Sequence, residues 1–124
     1  MKRILIADDN ETVRLMLRSA LEVSGYLVTE ATDGDHALSL MAETRFDLVI
    51  TDLWMPKRTG IDLLKRWRQQ HSHLRVIAIS GGAPDMPIDT SIALAQTWGA
   101  DAVLYKPFTK EDLDAVLLRV LGED

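Results

Sequence analysis

Five short runs rich in apolar and β-branched residues alternate with segments in which apolar residues return at helical spacing: RILIA (3–7), YLVTEA (26–31), DLVITD (47–52), RVIAIS (75–80) and ADAVLY (100–105). This alternation restricts the fold more than any other feature of the chain. Nearly continuous hydrophobicity over five or six residues is expected of strands buried on both faces. Between the runs, Val13, Met16, Leu17, Ala20 and Leu21, and later Leu113, Val116, Leu117, Val120 and Leu121, mark the core faces of amphipathic helices. Asn10 or Thr12 can cap the first helix, Asp33 with Gly34 opens the second, Thr59 the third and Thr109 the last. Gly25 and Gly99 fall where helices should stop. Repeated β-α alternation predicts an α/β fold, a doubly wound five-stranded parallel sheet with right-handed crossovers and helices on both faces.

With 124 residues the chain can bury one core, and residues 1–124 read as a single domain without linker, repeat or output domain. The ending at Leu121-Gly-Glu-Asp, directly after the last helix, fits either a stand-alone protein or a piece of a longer regulator. No apolar stretch approaches the roughly 20 residues of a membrane span, and acidic residues arrive too early for a signal peptide. A cytoplasmic protein is expected. The absence of cysteine removes disulfides, thiol nucleophiles and thiolate metal sites, leaving carboxylates, hydroxyls, lysine and histidine for any chemistry. A formal net charge of -5 argues against direct nucleic-acid binding. The one basic cluster, KRWR at 65–68, reads as a solvated face that suits the negative end of its helix. His71 and His73 read as a solvated connection rather than metal ligands. Leu15 and Leu118 lie off the periodic core faces and should be exposed.

In open parallel sheets the ligand crevice lies beyond the carboxyl ends of the strands. There the first strand ends at Asp8 and Asp9, the third at Asp52, the fourth at Ser80 and the fifth just before Lys106. Taken singly, an aspartate here is a helix cap, Ser80 before two glycines is turn chemistry, and Lys-Pro is a surface loop. Their conjunction points elsewhere. Three carboxylates in one crevice repel unless a cation joins them or a pKa rises, and Mg²⁺ suits a shallow, water-accessible oxygen site. An aspartate beside such a metal can act as a nucleophile toward phosphorus, with Lys106 and Ser80 supplying a cation and a hydroxyl for phosphoryl oxygens.

The motifs ILIADDN, DLVITDLWMPKRTGIDLL, AISGG and GADAVLYKPFT together resemble the receiver domain of bacterial two-component response regulators over residues 3–121. The resemblance implies a flavodoxin-like (βα)5 fold with strand order 2-1-3-4-5. It implies that Asp52 is the phosphoacceptor, and that Asp8, Asp9, Asp52 and the Trp54 backbone carbonyl hold Mg²⁺ (or Mn²⁺). Ser80 and Lys106 would close on the phosphoryl group, Pro107 would follow a cis peptide bond, and Pro56 and Gly60 would shape the loop after Asp52. The donor would be a sensor histidine kinase or a histidine phosphotransfer protein, for which Leu15 on the first helix offers a docking position. A downstream protein partner would meet the face formed by the fourth helix, fifth strand and fifth helix. The domain would catalyse its own phosphorylation and dephosphorylation without turning over a small-molecule substrate.

Three positions depart from the family pattern. Val103 stands where the family carries an aromatic switch residue, and Tyr105 shares its face by strand alternation without being its equivalent. The stretch from Ser80 to Lys106 is longer than usual, with the extra residues in GGAPDMPIDT, so a long loop or a late fourth helix is expected, one that orders on phosphorylation. Trp54, two residues after Asp52, either obstructs the water that hydrolyses the phosphoryl group or packs on its loop, and Gly82 offers no side chain to position that water. A long-lived phosphoryl group is the expectation. Two other function classes stay open: a phosphorylation-independent protein-binding module on the same fold, and a metal-dependent phosphohydrolase, which Trp54 disfavours where such enzymes carry a second acid.

Overall fold

A computed structural model describes residues 2–54, 60–70, 74–81, 93, 95–97 and 99–122. The strands are β1 (Arg3–Ala7), β2 (Leu27–Ala31), β3 (Leu48–Asp52), β4 (Arg75–Ser80) and β5 (Ala102–Tyr105). The helices are α1 (Glu11–Val23), α2 (Gly34–Glu43), α3 (Gly60–Gln70) and α5 (Lys110–Leu121). Residues 93 and 95–97, also helical, are labelled α4. All strand pairs are parallel, in the order β2-β1-β3-β4-β5, as anticipated. Pro56, Thr59, His71, His73, Gly82 and most of the GGAPDMPIDT stretch lie outside the described residues.

Strand alternation divides the core into two layers. Leu5, Ala7, Val49, Val76 and Ala78 pack with Ala37, Met41, Leu63, Leu64, Trp67 and Ala95 from α2, α3 and α4. Ile4, Ile6, Leu48, Ile50, Ile77, Ile79 and Leu104 pack with Leu17, Leu21, Leu113, Leu117 and Val120 from α1 and α5. The helices start where side chains can satisfy free N–H groups. Asn10 accepts from Val13 N, Asp33 from His36 N, and Thr109 and Asp112 form a reciprocal capping box. Gly25 and Gly99 adopt positive φ (92° and 91°), the conformation that makes glycine the ready choice at a turn.

Two expectations need correction. Burial on both faces holds for β1, β3 and β4 apart from the exposed first residues Arg3 and Arg75, but β2 and β5 are sheet edges, and Leu27 and Tyr105 are exposed. The KRWR stretch is a solvated face only in part, at the exposed Arg66 and the half-buried Lys65. Trp67 is fully buried in the α2–α3 layer, because its position three and four residues after Leu64 and Leu63 places it on the same helix face. Arg68 folds back over the helix end, donating to Leu74 O (2.5 Å), to Gly99 O and to Asp101 Oδ2 (3.1 Å). Asp101 Oδ2 also accepts from Val76 N (2.8 Å), so a side chain takes the place of the next ladder carbonyl and β5 begins only at Ala102.

Candidate functional site

Parallel register sets the site. Ala7 of β1 lies opposite Ala31 of β2 and Thr51 of β3, so Asp8 and Asp52 each emerge one residue further on, side by side. Asp52 lies opposite Ile79, which puts Ser80 one step beyond it, and Ser80 O accepts from Lys106 N (2.9 Å). Four strand ends thereby deliver Asp8, Asp52, Ser80 and Lys106 to one crevice. Asp9 follows on the exposed turn into α1.

Asp8 is fully buried and Asp52 is 5% exposed. The Asp8 carboxylate accepts from Asn10 N through Oδ1 (2.8 Å), while its Oδ2 has no hydrogen-bond donor among the described residues and lies 3.5 Å from Lys106 Nζ. Asp52 accepts from Trp54 N at Oδ1 (3.1 Å) and from Lys106 Nζ at Oδ2 (3.0 Å). Carboxylate oxygens of Asp8, Asp9 and Asp52 all lie within 4.8 Å of one another. Burial pushes the Asp8 carboxyl above its ordinary value; the Asn10 N–H opposes this and the Asp52 charge adds to it. Burial pulls Lys106 down, yet the hydrogen bond and charge of Asp52, with the charge of Asp8, carry it above its ordinary value. One lysine thus balances part of a charge that three carboxylates bring in excess. Among the described residues the buried Ser80 hydroxyl has no hydrogen-bond partner.

The remaining site residues lie around this centre. Trp54 is half-buried and packs against the α2–α3 layer. Gly60 opens α3, with its N–H donating to Leu53 O (2.9 Å). A Cβ at Gly60 would collide with the Asp52 carbonyl oxygen and lie 2.8 Å from Leu53 Cα, so the backbone after the site closes down on the end of β3 only because this residue is glycine. Gly81 backs the Lys106 stem, where an added Cβ would lie 3.2 Å from Lys106 Cδ. The Lys106–Pro107 peptide bond is cis. Val103 is half-buried against the α2–α3 layer, and Tyr105, on the same face of β5, is 53% exposed.

Comparison with known proteins gives the family and the fold. A family model described as response regulator receiver domain matches residues 4–118. The chain belongs to the response regulator receiver domain family. Among curated relatives, the receiver domain is 34% identical over 120 residues to the alkaline phosphatase synthesis transcriptional regulatory protein PhoP of Bacillus subtilis, covering 97% of this chain and 48% of that protein. It is 37% identical over 110 residues to the sensor protein EvgS of Escherichia coli, covering 89% of this chain and 9% of that one. The chain therefore spans half or less of these relatives. Its structure resembles the chemotaxis protein CheY4 of Vibrio cholerae with a TM-score of 0.85 at 31% identity, covering 97% of this chain and 98% of that one. A CheY-like receiver domain from Methanospirillum hungatei gives 0.89 at 27% identity, covering 98% and 94%. No described helix is long and apolar enough to cross a membrane.

Sequence reasoning missed one group beside the receiver site. Arg14 Nη1 donates to Asp8 O (2.7 Å) and its Nε to Glu30 Oε1 (3.1 Å), while Arg18 Nη1 reaches Glu30 Oε2 (2.6 Å). The Arg18 hydrogen bond, helped by Arg14, holds the Glu30 carboxyl below its ordinary value against partial burial. A charged residue inside the largely apolar run YLVTEA was the available signal, because such a residue needs a partner.

Proposed function

We propose that this receiver domain accepts a phosphoryl group on Asp52 from a phosphohistidine of a sensor kinase or phosphotransfer protein, with Mg²⁺ or Mn²⁺ bound by Asp8, Asp9, Asp52 and the Trp54 backbone carbonyl. The observation that carries this reading is the meeting of three carboxylates with Lys106 in one crevice, Lys106 Nζ standing 3.0 Å from Asp52 and 3.5 Å from Asp8. The donor set fits a hard divalent cation: it is all oxygen, and the buried Asp8 Oδ2 lacks a hydrogen-bond donor. When bound, such an ion would neutralise charge on the phosphoryl oxygens and the carboxylates together.

In the transfer, an Asp52 carboxylate oxygen attacks phosphorus as the P–N bond to the histidine breaks, and the imidazole leaves with the bonding electron pair. The Trp54 N–H on Oδ1 directs the other oxygen toward attack, and Lys106 exchanges its Asp52 hydrogen bond for a phosphoryl oxygen. The unpartnered Ser80 hydroxyl gains a partner if it donates to the same group, which favours the conformer closed on the phosphoryl group. Hydrolysis by water at phosphorus restores Asp52. The α4–β5–α5 face, with Tyr105 and Leu118 exposed, is the surface offered to a downstream protein. Val103 in place of an aromatic leaves this output to loop and helix movement.

Intact-protein mass after incubation with acetyl phosphate and Mg²⁺ tests the reading. One phosphoryl adduct that needs the metal and is absent from Asp52→Asn is expected. Failure with both acetyl phosphate and a phosphohistidine donor would favour a binding module that works without phosphorylation.

A further inference from the structure

Asp8 is held from three directions. Asp8 N donates to Ala31 O (3.2 Å), Asp8 Oδ1 accepts from Asn10 N (2.8 Å), and Asp8 O accepts from Arg14 Nη1 (2.7 Å). The first two contacts fix the Asp8 side of the turn. The third fixes the plane of the peptide that leads into Asp9, whose own residue is exposed and so has little packing to hold it. Arg14 is suited to this task. Its backbone is locked into the first turn of α1 by Arg14 N to Asn10 O (3.1 Å), its side chain is only 12% exposed, and Glu30 on β2 accepts from Nε and fixes the guanidinium plane. Arg18, one turn later, shares Glu30.

We infer that Arg14 is a positioning residue of the acidic pocket: by clamping the Asp8 carbonyl, it sets where the Asp9 carboxylate stands relative to Asp8 and Asp52. This rests on the reading of those carboxylates as the metal site. A clamp and a simple charge at Arg14 act on metal binding with opposite signs. Removing a cation near an acidic pocket should strengthen metal binding by Coulomb's law, whereas loss of a clamp should weaken it.

The test is Mn²⁺ titration of the full chain without any phosphoryl donor, following free Mn²⁺ by electron paramagnetic resonance. Variants are Arg14→Met, Arg14→Lys, Arg18→Met and Asp9→Asn, with thermal unfolding recorded for each. Arg14→Met is expected to weaken Mn²⁺ binding about tenfold, the scale of losses on removing groups that orient metal ligands. Arg18→Met, which removes an equal charge and also loosens Glu30 but leaves the Asp8 clamp, should stay within about twofold of the parent on the same scale. Arg14→Lys should fall between, since lysine lacks the fork that spans Asp8 O and Glu30. Unchanged or tighter binding by Arg14→Met, or an equal loss in Arg18→Met, overturns the positioning role. If Arg14→Met does not fold, Arg14→Lys decides by the same criterion. Should the parent take up no Mn²⁺, or Asp9→Asn bind as well as the parent, the metal site itself is misassigned and the inference falls with it.

Discussion

Gly60 and Trp54 bracket Asp52 in different ways. At Gly60 a methyl group has nowhere to go, because the atoms it would strike are backbone of Asp52 and Leu53 rather than a flexible side chain. Gly60→Ala should therefore cost about 1–3 kcal/mol or more, the range for overpacking, read as a lower urea midpoint at unchanged slope. Phosphoryl uptake should fall with it, since the strand end that carries Asp52 must shift. Trp54 acts later in the cycle. If its indole obstructs the attacking water, Trp54→Asn should speed loss of the phosphoryl group about tenfold, equivalent to about 1.4 kcal/mol off the barrier. An unchanged loss rate in time-resolved intact mass would assign Trp54 to packing alone.

Elements differ in how much of their role the sequence carried. The three inner strands, the caps at Asn10, Asp33 and Thr109, and the core faces of α1 and α5 were legible, because each depends on local periodicity or on a side chain reaching three residues along its own chain. The same locality made the strand-end residues legible as a set: once five strands are parallel, their carboxyl ends must meet. What escaped depends on contacts far apart in sequence. Arg68 reads as a basic residue in a last helical turn, yet its partners Gly99 and Asp101 lie 31 and 33 residues away, and no periodicity reports them. Edge position came only with the strand order that the resemblance implied, since apolar content does not say whether a strand has one neighbour or two, and the exposure of Leu27 and Tyr105 was not read from it. Arg68→Met tests the clamp that joins α3 to the segment entering β5. Leaving the Leu74 and Gly99 carbonyls without this donor should cost about 1–3 kcal/mol, with amide exchange rising first at Val76 and Asp101.

On the scale of the whole molecule, two carboxylates impose opposite pH dependences on stability. Asp8, raised above its ordinary value by burial, binds its proton more tightly in the native state than in the unfolded chain. Its favourable contribution is full below the unfolded value and is lost as pH rises through the native one. Asp8→Asn should consequently be more stable than the parent at neutral pH, and the gain should vanish below about pH 3.8, where Asp8 is protonated in both states. Glu30, lowered by Arg18 and Arg14, does the reverse: its contribution is present above its ordinary value and lost as pH falls through the native one. Glu30→Gln should be less stable at neutral pH, and the two differences should converge toward the parent in acid when followed by thermal unfolding across pH. The unsatisfied groups at Asp8 and Ser80 have one more consequence. In a library of all single substitutions sorted separately for abundance and for signalling, most core positions should rank alike in both sorts. Asp8 and Ser80 should part company, enriched when cells are chosen for how much protein they hold and depleted when chosen for whether it responds.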